Sequence, residues 1–429
     1  MASSMAREDV VIFYNDSIDS DNTAGALALV LALADRPNTR VLWILEPRQV
    51  SLGLSMSKEE TARCLELIKS HPSTARGTAF KILLGGLLDE KDLASFGCLN
   101  ASDRALLQKA VKPAAGPKED AILHGRLAAW DLATCLAQWT GASVKVLLDT
   151  ESLDEIENPV NLNVHHHEEL NSRSEGELRM HREIMQTEHS ELRVEALRHW
   201  YGECIKQAES RPENKGSSVQ PLDIDSLCET IAEARSVRFF GGSSLRILRQ
   251  FIEKGVAKKV ECSLQVGSCD LSANLFPNQF NIGLNPNAAR SVLERFTEFA
   301  KFAVVPSHSA QGVKYSLLGL KRAGGRCLEK RILGFNCHED PLKISTGQVT
   351  LEKDYPAKAS PMPDLTAFLC ALVPGYMGAK RGYVRLRDER GVLLFERADS
   401  GIPMHDLASG RSLGDSEVVS ILSSLKGER

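Results

Sequence analysis

The stretch that decides the fold of this 429-residue chain reads Asn278-Gln279-Phe280-Asn281-Ile282-Gly283-Leu284-Asn285-Pro286-Asn287-Ala288-Ala289. Its polar side chains are all amides, and it carries no charged residue. Amides such as those of Gln279 and Asn281 donate and accept hydrogen bonds, so they can bind hydroxyl groups without contributing charge. We therefore predict that these amides line one side of a binding site without contributing charge. The location of that site depends on the elements around the stretch.

Short β-rich runs alternate with amphipathic helical patterns along most of the chain. Strands are predicted at residues 9–14, 40–45, 80–84, 143–148, 236–240, 259–265 and 301–305. Several of these runs are apolar at consecutive positions, as expected for strands covered on both faces. The alternation predicts an α/β fold with a doubly wound, mostly parallel sheet and right-handed crossovers. Ligands of such sheets bind beyond the carboxyl ends of the strands, which directs attention to the loops after Tyr14, Phe240 and Gln265.

Two regions interrupt this rhythm. Residues 151–221 are polar and contain a long helical pattern, for which Ser174 and Glu177 form a capping box. We interpret this region as an inserted helical hairpin or arm, called the arm below, within a single domain that spans residues 1–429. Because an amphipathic face must be buried, we expect the arm to cover the site or to form a homo-oligomer interface. The second region, around residues 387–391, predicts a C-terminal β-hairpin.

Composition limits the classes of function. The formal net charge is −4, so no basic excess indicates a nucleic-acid partner. The longest apolar run, residues 24–34, is too short to span a bilayer, and no secretory signal is recognised at the start of the sequence. The ten cysteines are scattered, which favours free thiols in a reducing compartment. We therefore predict a cytoplasmic protein with no membrane partner.

The stretch at residues 278–289 resembles the ribose-binding signature of the inosine-uridine preferring nucleoside hydrolase family, in which Glu-Phe-Asn leads into Asp-Pro-Glu-Ala-Ala. The residues that match this signature are Phe280, Asn281, Pro286, Ala288 and Ala289. Amides replace its acids at Gln279, Asn285 and Asn287. The chain thus resembles a divergent member of the family, with the same nucleoside hydrolase-like fold and an altered charge chemistry.

The loop after the first predicted strand also resembles the family, in which Asp-x-Asp-x-x-x-Asp-Asp carries the calcium ligands, the general base and a ribose contact. The residues in register with those four acids are Asn15, Ser17, Asp21 and Asn22. Only Asp21 keeps its charge, while Asp16 and Asp19 are additional acids that a small loop shift would bring inward. The same polar loop also suits simple N-capping of the next helix.

Three further pieces follow in the order of the family. His124 and the glycine after it resemble a His-Gly pair of an active-site loop. The turn at residues 240–245 stands where the family has Gly-x-Leu-Thr-Asn, so Ser244 corresponds to a residue whose carbonyl binds calcium. Asp364 keeps the acid of a His-Asp-Pro-x-Ala motif, while Pro363 replaces its histidine. An acid at this place also suits a helix N-terminus in its own right.

The resemblance implies an N-ribosyl hydrolase of nucleoside-like substrates with a charge-depleted metal site. The catalytic candidates are Asp21, Asp19 and Asp16, the ligand-binding candidates are Asn15, Asn22, His124, Gln279 and Asn281, and the metal candidates are Asp364 and Ser244. Because calcium affinity falls with the charge of its ligands, calcium is expected to bind weakly or not at all, and no other cofactor is implied.

Two alternatives remain open from the sequence. The chain could be a non-catalytic descendant that binds a nucleoside-like ligand or a protein partner, or an enzyme of another reaction class that reuses the pocket. The positions of Asp16 and Asp19 discriminate between them. Acids that point inward beside Asp364 favour hydrolysis, and acids that point outward favour the alternatives.

Overall fold

A computed structural model describes residues 8–16, 19–34, 36, 38–52, 59, 63, 66, 102–103, 106, 116–155, 160–161, 168–187, 190–270, 278–389 and 391–426. The predicted strand at residues 80–84 and Ser17 lie outside the described residues. Within the described parts of the chain, no helix combines the length and the apolar character needed to cross a membrane.

A ten-stranded, mostly parallel sheet forms the centre of the molecule. The strands along the chain are β1 (Asp9–Asn15), β2 (Thr39–Leu45), β3 (Val50–Ser51), β4 (Lys145–Leu148), β5 (Val160–Asn161), β6 (Ser218–Pro221), β7 (Ser236–Gly242), β8 (Val260–Gln265), β9 (Lys301–Val305), β10 (Val313–Ser316), β11 (Ala359–Pro361), β12 (Lys380–Glu389), β13 (Val392–Ala398), β14 (Ile402–Asp406) and β15 (Arg411–Leu413). The order in the large sheet is β13-β12-β14-β9-β8-β7-β1-β2-β4-β6, and neighbours from β14 to β6 are parallel. Two small sheets have the orders β11-β10-β15 and β3-β5.

Helices pack on both faces of the large sheet. The α-helices are α1 (Ser20–Leu33), α2 (Lys118–Thr140), α3 (Glu175–Ile184), α4 (Ser190–Ser210), α5 (Ile224–Glu233), α6 (Arg246–Glu253), α7 (Phe280–Leu284), α8 (Pro286–Glu294), α9 (Ser307–Ala310), α10 (Leu317–Phe335), α11 (Pro341–Ser345), α12 (Leu351–Asp354), α13 (Pro363–Leu372) and α14 (Asp415–Ser424). Short 3₁₀ helices span Thr150–Asp154, Glu168–Ser172, Pro212–Asn214, Ala257–Lys259, Phe296–Glu298 and Tyr376–Gly378.

The alternation of side chains along β1 explains the two layers. Val11 and Phe13 enter one hydrophobic core, which includes residues of α1, α2, α10 and α13. Val10, Ile12 and Tyr14 enter the other, which includes residues of α5, α6 and α8. Successive strand residues point to opposite faces, so a strand that is apolar at every position must be covered on both sides. The prediction of an α/β fold with a mostly parallel sheet is confirmed.

The described strands that were predicted begin and end close to their predicted bounds. The observed β9 coincides with the prediction at residues 301–305, and β1 and β7 each run further toward the site than predicted. Strand β6 was not predicted; it pairs with β4 at the sheet edge, at the end of the segment interpreted from the sequence as the inserted arm. Its only aliphatic residue is Val219, and its last residue is Pro221. An edge strand tolerates proline because one side of it needs no ladder bonds.

The described part of the arm contains two α-helices, α3 and α4, where the sequence showed one long helical pattern. The capping box at the start of α3 is confirmed: Ser174 Oγ accepts from the N–H of Glu177, and Oε2 of Glu177 accepts from the N–H of Ser174 over 2.6 Å. On α4, Trp200 and Tyr201 are buried and join the core that contains α2 and α10. The indole N–H of Trp200 donates to the carbonyl of Glu177 over 2.8 Å, which ties the two helices together.

The C-terminal hairpin prediction is confirmed. β12 and β13 are antiparallel, and at their turn the carboxylate of Asp388 accepts from the N–H of Gly391 over 2.7 Å. β12 also pairs with β14, which lies parallel to β9. The hairpin therefore extends the large sheet at one edge.

Candidate functional site

Two helix starts bring acidic residues together at the carboxyl edge of the sheet. α1 and α13 lie side by side, and Gly25 allows this because a Cβ there would stand 2.7 Å from the ring of Phe368. At their starts, the backbone N–H of Asp364 donates to Oδ2 of Asp21 over 3.2 Å. Acids in the first turn of a helix are stabilised by the helix dipole. The packing thus places two acids from opposite ends of the chain in contact.

The loop after β1 supplies the other polar candidates. Asn15 ends β1 fully buried, and Asp16 follows it with 5% exposure. Asp19 is the N-cap of α1, where its carboxylate accepts from the N–H of Asn22 over 2.9 Å. The side chain of Asn22 donates to Oδ1 of Asp16 over 3.3 Å. Because the charge of Asp19 acts on both Asp21 and Asp364, all the loop acids belong to one group.

We call Asp16, Asp19, Asp21 and Asp364 the acid cluster. Burial, followed by the charges of Asp19 and Asp364, holds the pKa of Asp21 well above its usual range. Burial, followed by the charges of Asp19 and Asp16, does the same for the pKa of Asp364. Acids crowded in a buried site cannot all ionise at once, so members of the cluster share protons.

β7 ends at Gly242, directly against the acid cluster. Its N–H donates to Oδ1 of Asn15 over 2.6 Å, which ties the ends of β1 and β7 together. A Cβ at Gly242 would stand 1.8 Å from Oδ1 of Asp364, so the space at this position suits glycine alone. Among the described residues, Nδ2 of Asn15 and Oδ1 of Asp364 are buried without a hydrogen-bond partner. One donor and one acceptor therefore lack partners on either side of Gly242.

Arg48, in the loop after β2, contacts the acid cluster and was not predicted from the sequence. Its Nε and Nη2 donate to Oδ2 of Asp16 over 3.1 and 2.9 Å. Its guanidinium carbon lies 5.1 Å from the ring centroid of Phe280, a cation–π contact. Burial raises the pKa of Asp16, and the charge of Arg48 opposes that rise. The signal in the sequence was the position of Arg48 after a predicted strand, at the edge where β1 and β7 also end.

The side-chain amides of Gln279 and Asn281 form hydrogen bonds with the end of β8 and the loop after it. The Nδ2 of Asn281 donates to the backbone carbonyl of Gln265 over 2.8 Å and to its side-chain oxygen over 2.9 Å. The side-chain oxygen of Gln279 accepts from the N–H of Gly267 over 3.1 Å and from the N–H of Ile282 over 3.2 Å. These contacts fix the positions of Gln279 and Asn281 beside β8. Their role in ligand binding stays a prediction.

Ser244 lies in the predicted turn, but its hydroxyl is engaged elsewhere. Both Ser243 and Ser244 donate their hydroxyls to the carboxyl of Glu46, which follows β2 and is fully buried. The backbone N–H of Ser244 also donates to Glu46 over 3.0 Å. Glu46 therefore fixes the turn after β7.

A second group of buried acids surrounds Tyr14. Its hydroxyl lies 2.8 Å from Oε1 of Glu46 and 2.9 Å from Oδ2 of Asp149. A phenol has one proton, so it cannot donate to both carboxyls at once. Asp149 pairs with Arg246 over 3.0 Å, which favours its ionised form. Burial, followed by the charge of Asp149, raises the pKa of Glu46 to about 7. Burial also raises the pKa of Asp149, and the charge of Arg246 opposes that rise.

His124 is not joined to the acid cluster by any described contact. It lies on α2, with Nε2 3.5 Å from Oε2 of Glu169 and its ring 6.1 Å from that of Tyr201. The hydroxyl of Tyr201 donates to Glu169 over 2.9 Å. His124 thus faces the arm, and a ligand contact from this residue stays a prediction.

The described residues do not fit a calcium shell. Both oxygens of Asp16 are engaged, one by Arg48 and the other by the side-chain amide of Asn22. No group of three or more His, Cys, Asp or Glu side chains in the described part of the chain is placed to hold a metal ion. Calcium takes six to eight oxygen ligands, more than the unpartnered oxygen of Asp364 can supply. Among the described residues, the charged groups that this site presents are its carboxyl groups and Arg48.

The fold and the site define an α/β protein with a buried, proton-sharing acid cluster at the carboxyl edge of its sheet. No protein-family model matches the chain, and no curated protein matches it. Among solved structures, it is similar to the crystal structure of the effector protein XOO4466, with 11% identity, a TM-score of 0.39, and coverage of 98% of this chain and 93% of that chain. It is also similar to the type III effector protein XopQ complexed with adenosine diphosphate ribose, with 11% identity, a TM-score of 0.40, and coverage of 98% and 94%. Likenesses of this size carry no argument about activity or ligand.

Proposed function

We propose that this protein binds a nucleoside-like small molecule at the acid cluster and hydrolyses its N-ribosyl bond without a bound metal. The observation that carries the proposal is the pair of unpartnered buried atoms, Nδ2 of Asn15 and Oδ1 of Asp364, beside Gly242. A buried polar group without a partner costs ~1–3 kcal/mol. A sugar hydroxyl can accept from the first atom and donate to the second, so a ribose would satisfy both.

The acid pair supplies the chemistry for the reaction. In the proposed step, the ionised member of Asp21 and Asp364 takes a proton from water while the water oxygen bonds to C1′ of the ribose. The C1′–N bond breaks, its electron pair leaves with the base, and a solvent water protonates the departing base. The carboxyl then gives the proton it took to the hydroxide left by that water, so the step adds one water in total. The protonated member of the pair keeps a hydrogen bond to the sugar. General-base assistance of this kind contributes roughly 10²–10⁴-fold to the rate.

The inward position of the loop acids supports hydrolysis over the alternatives. Asp16 is buried, and Asp19 caps α1 close enough for its charge to act on Asp21 and Asp364. Titratable groups with strongly shifted pKa values cluster at functional sites, because chemistry needs acids and bases near the working pH. Asp21 is the proposed base, and Asp19 is its runner-up.

The test is ribose release from a panel of purine and pyrimidine nucleosides in the presence of a metal chelator. Wild-type protein is expected to release ribose in the chelator, with kcat/KM rising as the pH passes upward through the raised pKa of the acid pair, since the base must be ionised. Asp21→Asn is expected to lower kcat/KM by roughly 10²–10⁴-fold, the contribution of a general base, because an amide cannot take the proton from water. Asp399→Asn, on the exposed surface, serves as the matched control.

A second candidate is binding of the same ligand without hydrolysis, and the ion pair of Arg48 with Asp16 favours it because the pair ties up one of the acids. The two candidates differ in a measurable way. Wild-type protein that is stabilised against heat by a nucleoside, yet releases no ribose from any member of the panel with or without divalent metal, supports binding and rules out hydrolysis.

A further inference from the structure

We propose that Arg48 is a built-in cation of the acid cluster, which keeps Asp16 from serving as a metal ligand and so makes the site independent of divalent metal. In this role Arg48 compensates the negative charge of the acid cluster and excludes divalent metal from it. The proposal does not depend on whether the site hydrolyses a nucleoside.

The acid cluster holds more buried carboxyl groups than its surroundings readily stabilise. Its four members converge at the carboxyl edge of the sheet, and three of them, Asp16, Asp21 and Asp364, are more than nine-tenths buried. Burying several carboxylates together is unfavourable unless a cation or protons compensate their charge. The buried Oδ1 of Asp364, which has no hydrogen-bond partner among the described residues, adds an acceptor without a donor. A cluster of this kind would attract a cation.

Arg48 supplies such a cation, and its geometry occupies Asp16. Its side chain is 13% exposed, and that of Asp16 is 4% exposed, so the pair is largely shielded from water. Nε and Nη2 both reach Oδ2 of Asp16, while the amide of Asn22 reaches Oδ1. Both oxygens of Asp16 are therefore already engaged by nitrogen donors. A metal ion could bind Asp16 only by displacing one of them.

The ring of Phe280 holds the arginine in place. The guanidinium lies over this ring, with its carbon 5.1 Å from the ring centroid. Phe280 is the first residue of α7 and stands between Gln279 and Asn281 in the sequence. A planar guanidinium can stack on an aromatic face and bind a carboxylate at the same time, which a lysine ammonium does less well. Phe280 thus positions the charge, and Arg48 acts on the cluster from a fixed direction.

The experiment compares calcium binding by four full-length proteins, each stripped of metal by a chelator and titrated with calcium chloride by calorimetry. The proteins are the wild type, Arg48→Gln, Asp16→Asn with Arg48→Gln, and Arg179→Gln. Arg179 is an exposed arginine that pairs with Glu175 on α3, and it serves as the control for loss of one positive charge.

The wild type and Arg179→Gln are expected to show no stoichiometric calcium site up to millimolar calcium. Arg48→Gln is expected to gain one, with affinity at least about tenfold above that of the wild type, because ligand charge sets calcium affinity. The gain should disappear in the double variant, which removes the freed carboxylate and restores the original charge balance. Magnesium chloride, titrated in parallel, is expected to respond less, since it demands a more regular octahedral shell.

Several outcomes overturn the proposal. Stoichiometric calcium binding by the wild type does so, as does an Arg48→Gln protein that gains no calcium site, or a gain that survives in the double variant. If Arg48→Gln folds only when calcium is present, the proposal is supported. If the Arg48→Gln protein does not fold at all, Arg48→Lys is compared with the wild type instead. A folded lysine variant that does not bind calcium supports the charge role of Arg48. A lysine variant that binds calcium contradicts it.

Discussion

The side-chain amide of Asn285, in the stretch at residues 278–289, makes a contact that an acid could not make. Asn285 accepts from the N–H of Ala288 over 3.0 Å as the N-cap of α8, and its Nδ2 donates to Glu155 over 3.1 Å. An ionised acid at this position would keep the cap and lose the donor, because carboxylates only accept hydrogen bonds. It would also face the carboxylate of Glu155. The uncharged side chain of Asn285 thus suits the carboxylate of the residue opposite it.

Gly242 offers a sharp test at the scale of one residue. Gly242→Ala is expected to destabilise the protein by ~1–3 kcal/mol, since its Cβ would stand 1.8 Å from Oδ1 of Asp364 and force that side chain to move. The same change is expected to abolish nucleoside binding, because Asn15 and Asp364 then lose their common geometry. Urea unfolding and thermal shift with nucleosides measure the two effects.

Gly176→Ala is the matched control for that substitution. Gly176 lies in the first turn of α3, and a Cβ at this position would meet no atom within 4 Å, so alanine there is expected to stabilise by up to ~1 kcal/mol. A Gly242→Ala protein as stable as the wild type, with unchanged nucleoside binding, would show that the turn is more adaptable than its packing indicates.

At the scale of elements, the arm depends on the ends of its helices. Ser174→Ala removes the capping hydroxyl of α3 and is expected to cost ~1 kcal/mol. Because the loss is local, hydrogen exchange should speed up in the first turn of α3 more than in β1 or β7. Ser423→Ala, at an exposed site within α14, should leave exchange in α3 unchanged. Uniform acceleration across the molecule would mean instead that α3 unfolds only together with the core.

Elements with strong local patterns were predictable from the sequence, and those defined by distant partners were not. Consecutive apolar residues indicated strand β1, and Ser174 with Glu177 indicated the start of α3. Strand β6 has one aliphatic residue, Val219, and is a strand only because β4 lies beside it. Local sequence holds too little information to specify such an edge.

The site divides in the same way. The polar loop after β1 and Asp364 were predicted as site residues, and the structure places them together. Arg48 was not, because an arginine after a strand is usually a solvated surface residue. The turn at Ser244 was located correctly, but the partner of its hydroxyl is Glu46, nearly two hundred residues earlier in the chain. Sequence spacing indicates which loops meet and leaves open which side chains pair across them.

At the scale of the whole molecule, the carboxyl edge of the sheet carries two buried acid groups on one set of strand ends. The acid cluster lies around the end of β1, and Glu46 with Asp149 lies beneath the turn after β7. Burial is the largest cause of the raised pKa at Glu46, Asp16 and Asp21 alike. The fold therefore binds more protons in this region than its unfolded chain does, and its stability must depend on pH.

The sign of that dependence follows from the raised pKa values. A carboxyl whose pKa is higher in the folded state stabilises the fold fully below its unfolded pKa, and this contribution is lost as the pH rises through the folded pKa. For Glu46 the pKa rises from 4.5 to about 7, so the loss falls between those two values. A tenfold change in the acid's ionisation constant corresponds to about 1.4 kcal/mol, which gives a loss on the order of 3 kcal/mol for this residue.

Glu46→Gln tests this contribution to global stability. The free energy of unfolding, measured with urea at a series of pH values, is expected to fall less steeply between pH 4.5 and about 7 in the variant than in the wild type, because glutamine does not titrate. The amide can still donate to Tyr14 and accept from the Ser243–Ser244 turn, so the fold should persist. Exposed Glu213, changed to glutamine, should leave the wild-type slope intact. Equal slopes for wild type and Glu46→Gln would place the buried proton on Asp149, in spite of its contact with Arg246.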